Sequence, residues 1–225
     1  MKDFVFTPEI KSVAPDLRVA VVEADIVNGD TTDALWREIA DAASALAGTP
    51  IEAVNKRRSI AATRAAYKAA GKEPNRYRPS AEALCRRCVK GMELYRSLAV
   101  IDLINLLSIV SGHSIGGFDA DKIEGDVLTL GIGREGAPYE AIHRGQLNIA
   151  CMPVIRDNAG GIGTPTSDND RTKLGPDTRH LLMTVNMYDG GGTETERERF
   201  FAEMRRLLEQ YAAAKNICIK IYNAN

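Results

Sequence analysis

Leu98-Ala-Val-Ile-Asp-Leu-Ile-Asn-Leu-Leu-Ser-Ile-Val110 is the longest apolar run of the chain, and the sequence changes character on either side of it. The run falls short of the roughly 20 residues a membrane span needs, and Asp102 and Asn105 interrupt it. It reads as a buried helix over Ser97 to Ser111. Upstream the pattern is mostly helical. Leu17 to Val22 is a strand by its branched residues, and Leu35, Ile39, Ala42 and Leu46 mark a helix from Thr32 to Ala47, stopped by Gly48. Thr49-Pro50-Ile51-Glu52 has the form of a capping box that starts a helix running to Gly71. Ser80 is positioned to cap a further helix to about Leu94. Downstream, Val127–Ile132, Tyr139–Ile142, Ile149–Ile155, Leu181–Met187 and Ile217–Tyr222 read as strands between Gly/Asp/Asn turns. A late helix spans Glu194 to Ala214, with Phe200, Met204, Leu207, Leu208 and Tyr211 as its buried stripe. Helices first and strands afterwards predict an α+β fold, with N-terminal helices packed on a mostly antiparallel sheet from the second half, over one unit of residues 1–225.

With 225 residues, 44% hydrophobic and 26% charged, the chain buries a core without staples, which excludes disorder as its main state. The opening MKDFVFTPEIKS has no long apolar stretch, so a cytoplasmic protein without membrane attachment is expected. The net charge of −1 hides a strong segregation. Between Lys56 and Arg96 stand twelve basic residues against Glu73, Glu82 and Glu93, which makes this segment +9 and the remainder −10. Tyr67, Tyr77 and Tyr95 are interleaved with the cations. A ring beside a cation suits single-stranded or looped RNA, whereas the plain alternative is two solvated basic helix faces. Arg57, Arg64 and Lys68, seven and four residues apart, share one helix face.

Other motifs point to structure. Cys85-Arg-Arg-Cys88 lies inside a helix with no second pair, so small buried thiols are expected and no metal. Asp189-Gly-Gly-Gly-Thr193 has the position of a phosphate cradle, but Glu194, Glu196 and Glu198 follow and repel an anion, which favours a flexible turn. No nucleotide-binding fingerprint exists, so no cofactor and no stand-alone ligase activity are expected. His113, His143 and His180 have no nucleophile at diagnostic spacing and read as surface or satisfied histidines. Asp102 and Asn105 share one side of an apolar helix, where each costs about 1–3 kcal/mol unless hydrogen-bonded; they serve either a structural network or a site.

Arg64-x-x-Tyr67-Lys68-x-x-Gly71-x-x-Pro74-x-x-Tyr77-Arg78-Pro79-Ser80-x-Glu82-x-Leu84-x-Arg86-Arg87 resembles the signature of freestanding tRNA-editing-like proteins. These are related to the B3/4 domain of the beta subunit of bacterial phenylalanyl-tRNA synthetase. Asp102-x-x-Asn105, Gly112-x-x-Ile115-Gly116-Gly117-Phe118-Asp119 and Ser167-Asp168-x-Asp170-Arg171-Thr172 continue the resemblance, which runs from about residue 50 to 190. In the synthetase this domain hydrolyses tyrosine wrongly esterified to the phenylalanine tRNA. The resemblance implies that Asn105 orients substrate or water and that Gly116, Gly160, Gly161, Gly163 and Thr184 line the pocket. Arg64, Tyr67, Lys68, Tyr77, Arg78, Arg86 and Arg87 are implied as RNA contacts. Gly116 stands where the family has a histidine, and Thr184 falls where it has a glutamate that reads the tyrosine hydroxyl. The expected function is hydrolysis of a mischarged aminoacyl-tRNA in trans, with the aminoacylated 3′ end as partner. The alternatives are a non-catalytic tRNA- or RNA-binding module and a small-molecule hydrolase or amino-acid binder with the same pocket.

Overall fold

The computed structural model describes residues 2–225. The chain runs β1 (Asp3–Phe6), α1 (Pro8–Val13), β2 (Arg18–Asp25) and α2 (Asp33–Leu46), then α3 (Ile51–Val54), α4 (Arg58–Ala69), α5 (Ser80–Val89) and α6 (Ala99–Ser111). The second part holds β3 (Ser114–Asp119), β4 (Val127–Ile132), β5 (Glu140–Ala141), β6 (Gly145–Gln146), β7 (Pro153–Asp157), β8 (Gly160–Gly163), β9 (His180–Met187), α7 (Glu194–Ala212) and β10 (Lys215–Asn223). One sheet has the order β10-β2-β9-β3 and is antiparallel throughout. A second has the order β1-β4-β7-β8, with β1 and β4 parallel, and β5 and β6 form a separate two-stranded pair. The class is α+β, and among the described residues no helix is long and apolar enough to cross a membrane.

The period of two in β2 explains the layering. Ala20, Val22 and Ala24 face a core shared with α2, α6 and α7, while Val19 and Val21 face a second core against the other sheet. A strand buried on both faces needs no polar alternation, which is why Leu17 to Val22 reads as a continuous apolar run. Helices, sheet and sheet therefore stack as three layers.

Several local expectations change. The helix from Pro50 to Gly71 is broken into α3 and α4 at Asn55–Arg57, because Arg57 is turned aside to cap α6. Its guanidinium donates to the carbonyls of Ile109 at 2.7 Å and Val110 at 2.6 Å. Thr49 forms no capping box, since Pro50 is the cap of α3 and makes no side-chain bond. Ser80 is the first residue of α5 rather than its cap. Residues 149–152 form a turn and not a strand. Cys151 is left-handed at φ 60°, and Lys72 Nζ holds the carbonyls of Asn148 and Ala150 at 2.7 and 2.8 Å. Strands β3 and β8 carry five glycines between them, a composition that hides a strand from propensity.

Candidate functional site

Part of the basic segment turns inward. Glu82 is fully buried and serves as a hub for three arginines: Arg64 and Arg86 donate to it at 2.8 Å each, and Arg78 Nε lies at 3.4 Å. Arg64 and Arg86 spend their remaining groups on Asn75 and Asn55. Tyr67 is enclosed, with its hydroxyl 2.8 Å from Thr166 Oγ1, so its ring is core and not an RNA-stacking surface. Tyr77 lies under the Lys72 ammonium at 3.7 Å, and Arg87 lies over the Tyr95 ring at 4.7 Å. Lys56, Lys68, Arg76 and Lys90 remain exposed. Of the shared face expected for Arg57, Arg64 and Lys68, Lys68 alone faces solvent fully.

The glycine pocket is closed by the chain's own rings. Strands β3 and β9 put Gly116 opposite Thr184. A Cβ on Gly116 or Gly163 would meet Phe118 Cζ at 2.7 or 2.6 Å, and one on Gly161 would meet Tyr139 at 2.9 Å. These glycines make room for aromatic packing. Gly160 has φ +139° and is partly exposed at the strand edge. Asp168 stands beside Gly163 and accepts the Gly117 N–H at 3.1 Å. Its carboxyl group is enclosed although the residue as a whole is half-buried, and desolvation raises its pKa to about 7 against that one hydrogen bond. Asn105 is elsewhere: it lies on α6 beside Asp102 and lines a small cavity with Trp36, Leu84 and Tyr95. The structure thus brings Gly116, Gly163 and Thr184 together around Phe118 and leaves Asn105 out.

A cavity of about 520 Å³ lies between α6, the start of α7 and the turn that joins β9 to α7. Gly112, left-handed at φ 79°, ends α6 and sends the chain straight into β3, with His113 at the junction. Gly190, Gly191 and Gly192 take φ of 74°, 73° and 74°, a run closed to other residues without strain. That turn feeds α7 through a true capping box of Thr193 and Glu196. The turn is thus built rather than loose. Asp189 is fixed in it by the Gly191 N–H at 3.0 Å, Arg58 Nε at 2.9 Å and the Ser59 hydroxyl at 3.3 Å. Burial would raise its pKa, but the neighbouring His113, the Gly191 N–H and Arg58 outweigh this and hold it low.

His113 is neither a surface nor a satisfied histidine. It is 8% exposed, and its buried Nδ1 has no hydrogen-bond partner, standing 3.9 Å from Asp189 Oδ1. Desolvation lowers its pKa more than Asp189 raises it, so the imidazole is neutral at pH 7 and free to take a proton. Ser59 is no serine nucleophile of a triad: its one proton is shared between the Ser111 carbonyl and Asp189, and it makes no bond to His113. Leu106, Leu107, Met187, Phe200 and Leu207 form an apolar floor, with Phe200 edge-on to His113 at 6.1 Å. At the rim, Glu38 and Glu203 are paired with Arg206, and Glu196 accepts from Thr193 N–H at 2.7 Å. Arg199 at the same rim makes no hydrogen bond or ion pair among the described residues. Sequence reading missed this site because Ser59 and Asp189, which meet beside His113, are 130 residues apart.

Fold and cavity together define an α+β domain of two stacked sheets whose helical face holds a desolvated base over an apolar floor. The chain belongs to the B3/4 domain family, whose pattern matches residues 62–216. Among solved structures it is similar to an N-terminal fragment of the phenylalanyl-tRNA synthetase beta subunit from Pyrococcus horikoshii. That likeness has 13% identity and a TM-score of 0.46, covering 95% of this chain and 49% of the other. The chain spans about half the length of that fragment. No curated protein sequence matches it.

Proposed function

We propose that the protein binds the aminoacylated 3′ end of a tRNA and hydrolyses its ester in trans, with the His113 cavity as the reacting site. The observation that carries this reading is the buried, unpartnered imidazole on the wall of a 520 Å³ cavity. The apolar floor suits an amino-acid side chain, and Arg199 at the rim suits a phosphate. Exposed Lys56, Lys68, Arg76 and Lys90 supply positive charge for the RNA backbone. Membership of the B3/4 family supports the RNA substrate.

In this mechanism neutral His113 accepts a proton from a water that attacks the ester carbonyl. The Asp189 carboxylate stabilises the imidazolium that forms. The tetrahedral intermediate then collapses, the carbon–oxygen bond to the ribose breaks, and the proton passes from His113 to the departing ribose oxygen. Water plus ester give free amino acid plus tRNA, and no cofactor enters the balance.

The test is a panel of mischarged tRNAs scored for deacylation with wild type and His113→Gln. A general base contributes roughly 10²–10⁴-fold, so His113→Gln loses at least about 100-fold in rate at unchanged tRNA affinity. A wild-type rate in the variant overturns the role of His113. Binding without turnover of any substrate makes the protein a binding module.

A further inference from the structure

We infer a second ligand site beside Tyr95, built for an unpaired nucleotide whose base carries an exocyclic amino group next to a ring-nitrogen acceptor, as adenine and cytosine do. It is separate from the His113 cavity, and its test needs no aminoacyl-tRNA.

The site starts from a buried acceptor with nothing to accept. Asp102 is 1% exposed on α6. Its Oδ2 is fully used, taking the Thr31 hydroxyl at 2.5 Å and the Ser97 N–H at 2.9 Å. Its Oδ1 receives no hydrogen bond, although the Asn105 amide is near enough to act on the carboxyl group. A buried acceptor left without a donor is costly, and Asp102 itself lines a cavity of about 70 Å³ with Trp36, Tyr95 and Asn105. That space admits the edge of a ring but not the whole of it. Trp36, Ile39 and Leu94 also wall an adjoining cavity of about 260 Å³, which gives the rest of the ring room.

The aromatic and cationic groups decide the ligand class. Tyr95 is 79% exposed, and the Arg87 guanidinium lies over its ring at 4.7 Å; Arg96 lies over Trp36 at 5.8 Å. Rings already faced by guanidinium groups do not attract a second cation, which argues against an amine ligand. They offer a flat surface for stacking, with positive charge beside it for a phosphate. The polar edge then selects the base. Asp102 Oδ1 accepts from an amino group, and the Asn105 amide donates to the ring nitrogen beside it. Adenine offers this pair as N6–H and N1, and cytosine as N4–H and N3. Uracil presents the reverse order, as does guanine at O6 and N1–H, while the N2–H and N3 pair of guanine lies on the edge that carries the ribose.

Trp36 is the single tryptophan of the chain, so its fluorescence reports on this wall alone. Wild-type protein is titrated with AMP, CMP, UMP and GMP, and the short strand ACCA is added as a second probe. AMP and CMP quench Trp36 saturably, and UMP and GMP bind at least fivefold more weakly. Tyr95→Ala weakens AMP by roughly tenfold, the loss expected of one stacked base. Asn105→Ala brings AMP and UMP to the same affinity. Replacing Asp102 tests folding as much as binding, because it also holds Thr31 and Ser97, so the two variants at exposed or half-buried positions carry the test. Tighter binding of ACCA than of AMP assigns the natural ligand to a strand, and equal binding assigns it to a free nucleotide. Absence of quenching by AMP and CMP, or equal binding of UMP, overturns the site. Deacylation by the same variants at wild-type rate leaves the His113 reading untouched, so either inference can fail without the other.

Discussion

The stretch from Arg64 to Arg87 and the cavity beside α7 use polar groups in opposite ways. In the first, Glu82 takes three arginines, Tyr67 bonds Thr166 and Lys72 holds two carbonyls, so that many of its polar groups are engaged inside the fold. In the second, neither His113 Nδ1 nor Arg199 has a hydrogen-bond partner among the described residues. A motif dense in chemically able residues is here mostly a device for stability, because a buried carboxylate needs all the counter-charge it can recruit. Groups left over after folding are the better guide to a site. The expected RNA contacts at Arg64, Arg78 and Arg86 are thus first of all the partners of one glutamate.

The largest effect that separates the two regions lies at the hub. Glu82→Ala leaves three guanidinium groups around an empty space and lowers stability by about 3–5 kcal/mol, seen as an earlier denaturant midpoint. Arg199→Ala at the cavity rim shifts the same midpoint by no more than about 0.5 kcal/mol, while weakening tRNA binding and flattening its salt dependence. If Glu82→Ala is neutral, the hub is not what holds α4 to α5. If Arg199→Ala unfolds the protein, the cavity is not made of spare groups.

An intermediate effect is expected at the glycines. Gly163→Ala places a methyl group 2.6 Å from Phe118 Cζ and Gly116→Ala one at 2.7 Å, so the ring must shift. Each costs about 1–3 kcal/mol, and Phe118→Leu in the same chain recovers part of it. Failure of that rescue would mean that the glycines serve an open pocket after all.

These outcomes bear on how much of the molecule is legible in its sequence. Strand β4 matches its expected span, and α2, α6, α7, β2 and β9 lie within a few residues of theirs, because each has a long, regular apolar period. Strands β3 and β8 have no signature in the sequence pattern, since glycine has no side chain to mark a face. The pairing of Gly116 with Thr184 follows from β-sheet register, which a motif at one position hints at and spacing alone does not. His113 is hidden for a different reason. Its setting is made by Gly112 ending a helix, by a triple-glycine turn and by a serine far away in the chain, and none of these has a local signature.

A pH-dependent effect concerns Asp168, which sits in the spent region yet keeps a chemistry of its own. Its folded pKa, about 7, lies above the roughly 3.9 of an unfolded aspartate. Between those values the folded chain therefore holds a proton that the unfolded chain has lost. By linkage, that contribution to stability is full below about pH 4 and is lost as pH rises through about 7. An asparagine at this position keeps an oxygen for the Gly117 N–H and cannot ionise, so Asp168→Asn removes the loss without removing the bond. Melting temperatures of wild type and Asp168→Asn, taken at pH 5, 6, 7 and 8, should lie closest at pH 5 and part progressively, with the variant the more stable at pH 8. The cavity supplies the contrast. Burial lowers the pKa of His113, so its stability contribution is complete above about pH 6.5 and fades as the pH falls below it, and His113→Gln flattens the acid side of the profile in the same way. Parallel curves for wild type and Asp168→Asn would place the Asp168 carboxyl group in contact with water, and the seam around Phe118 would then be open to solvent rather than closed by it.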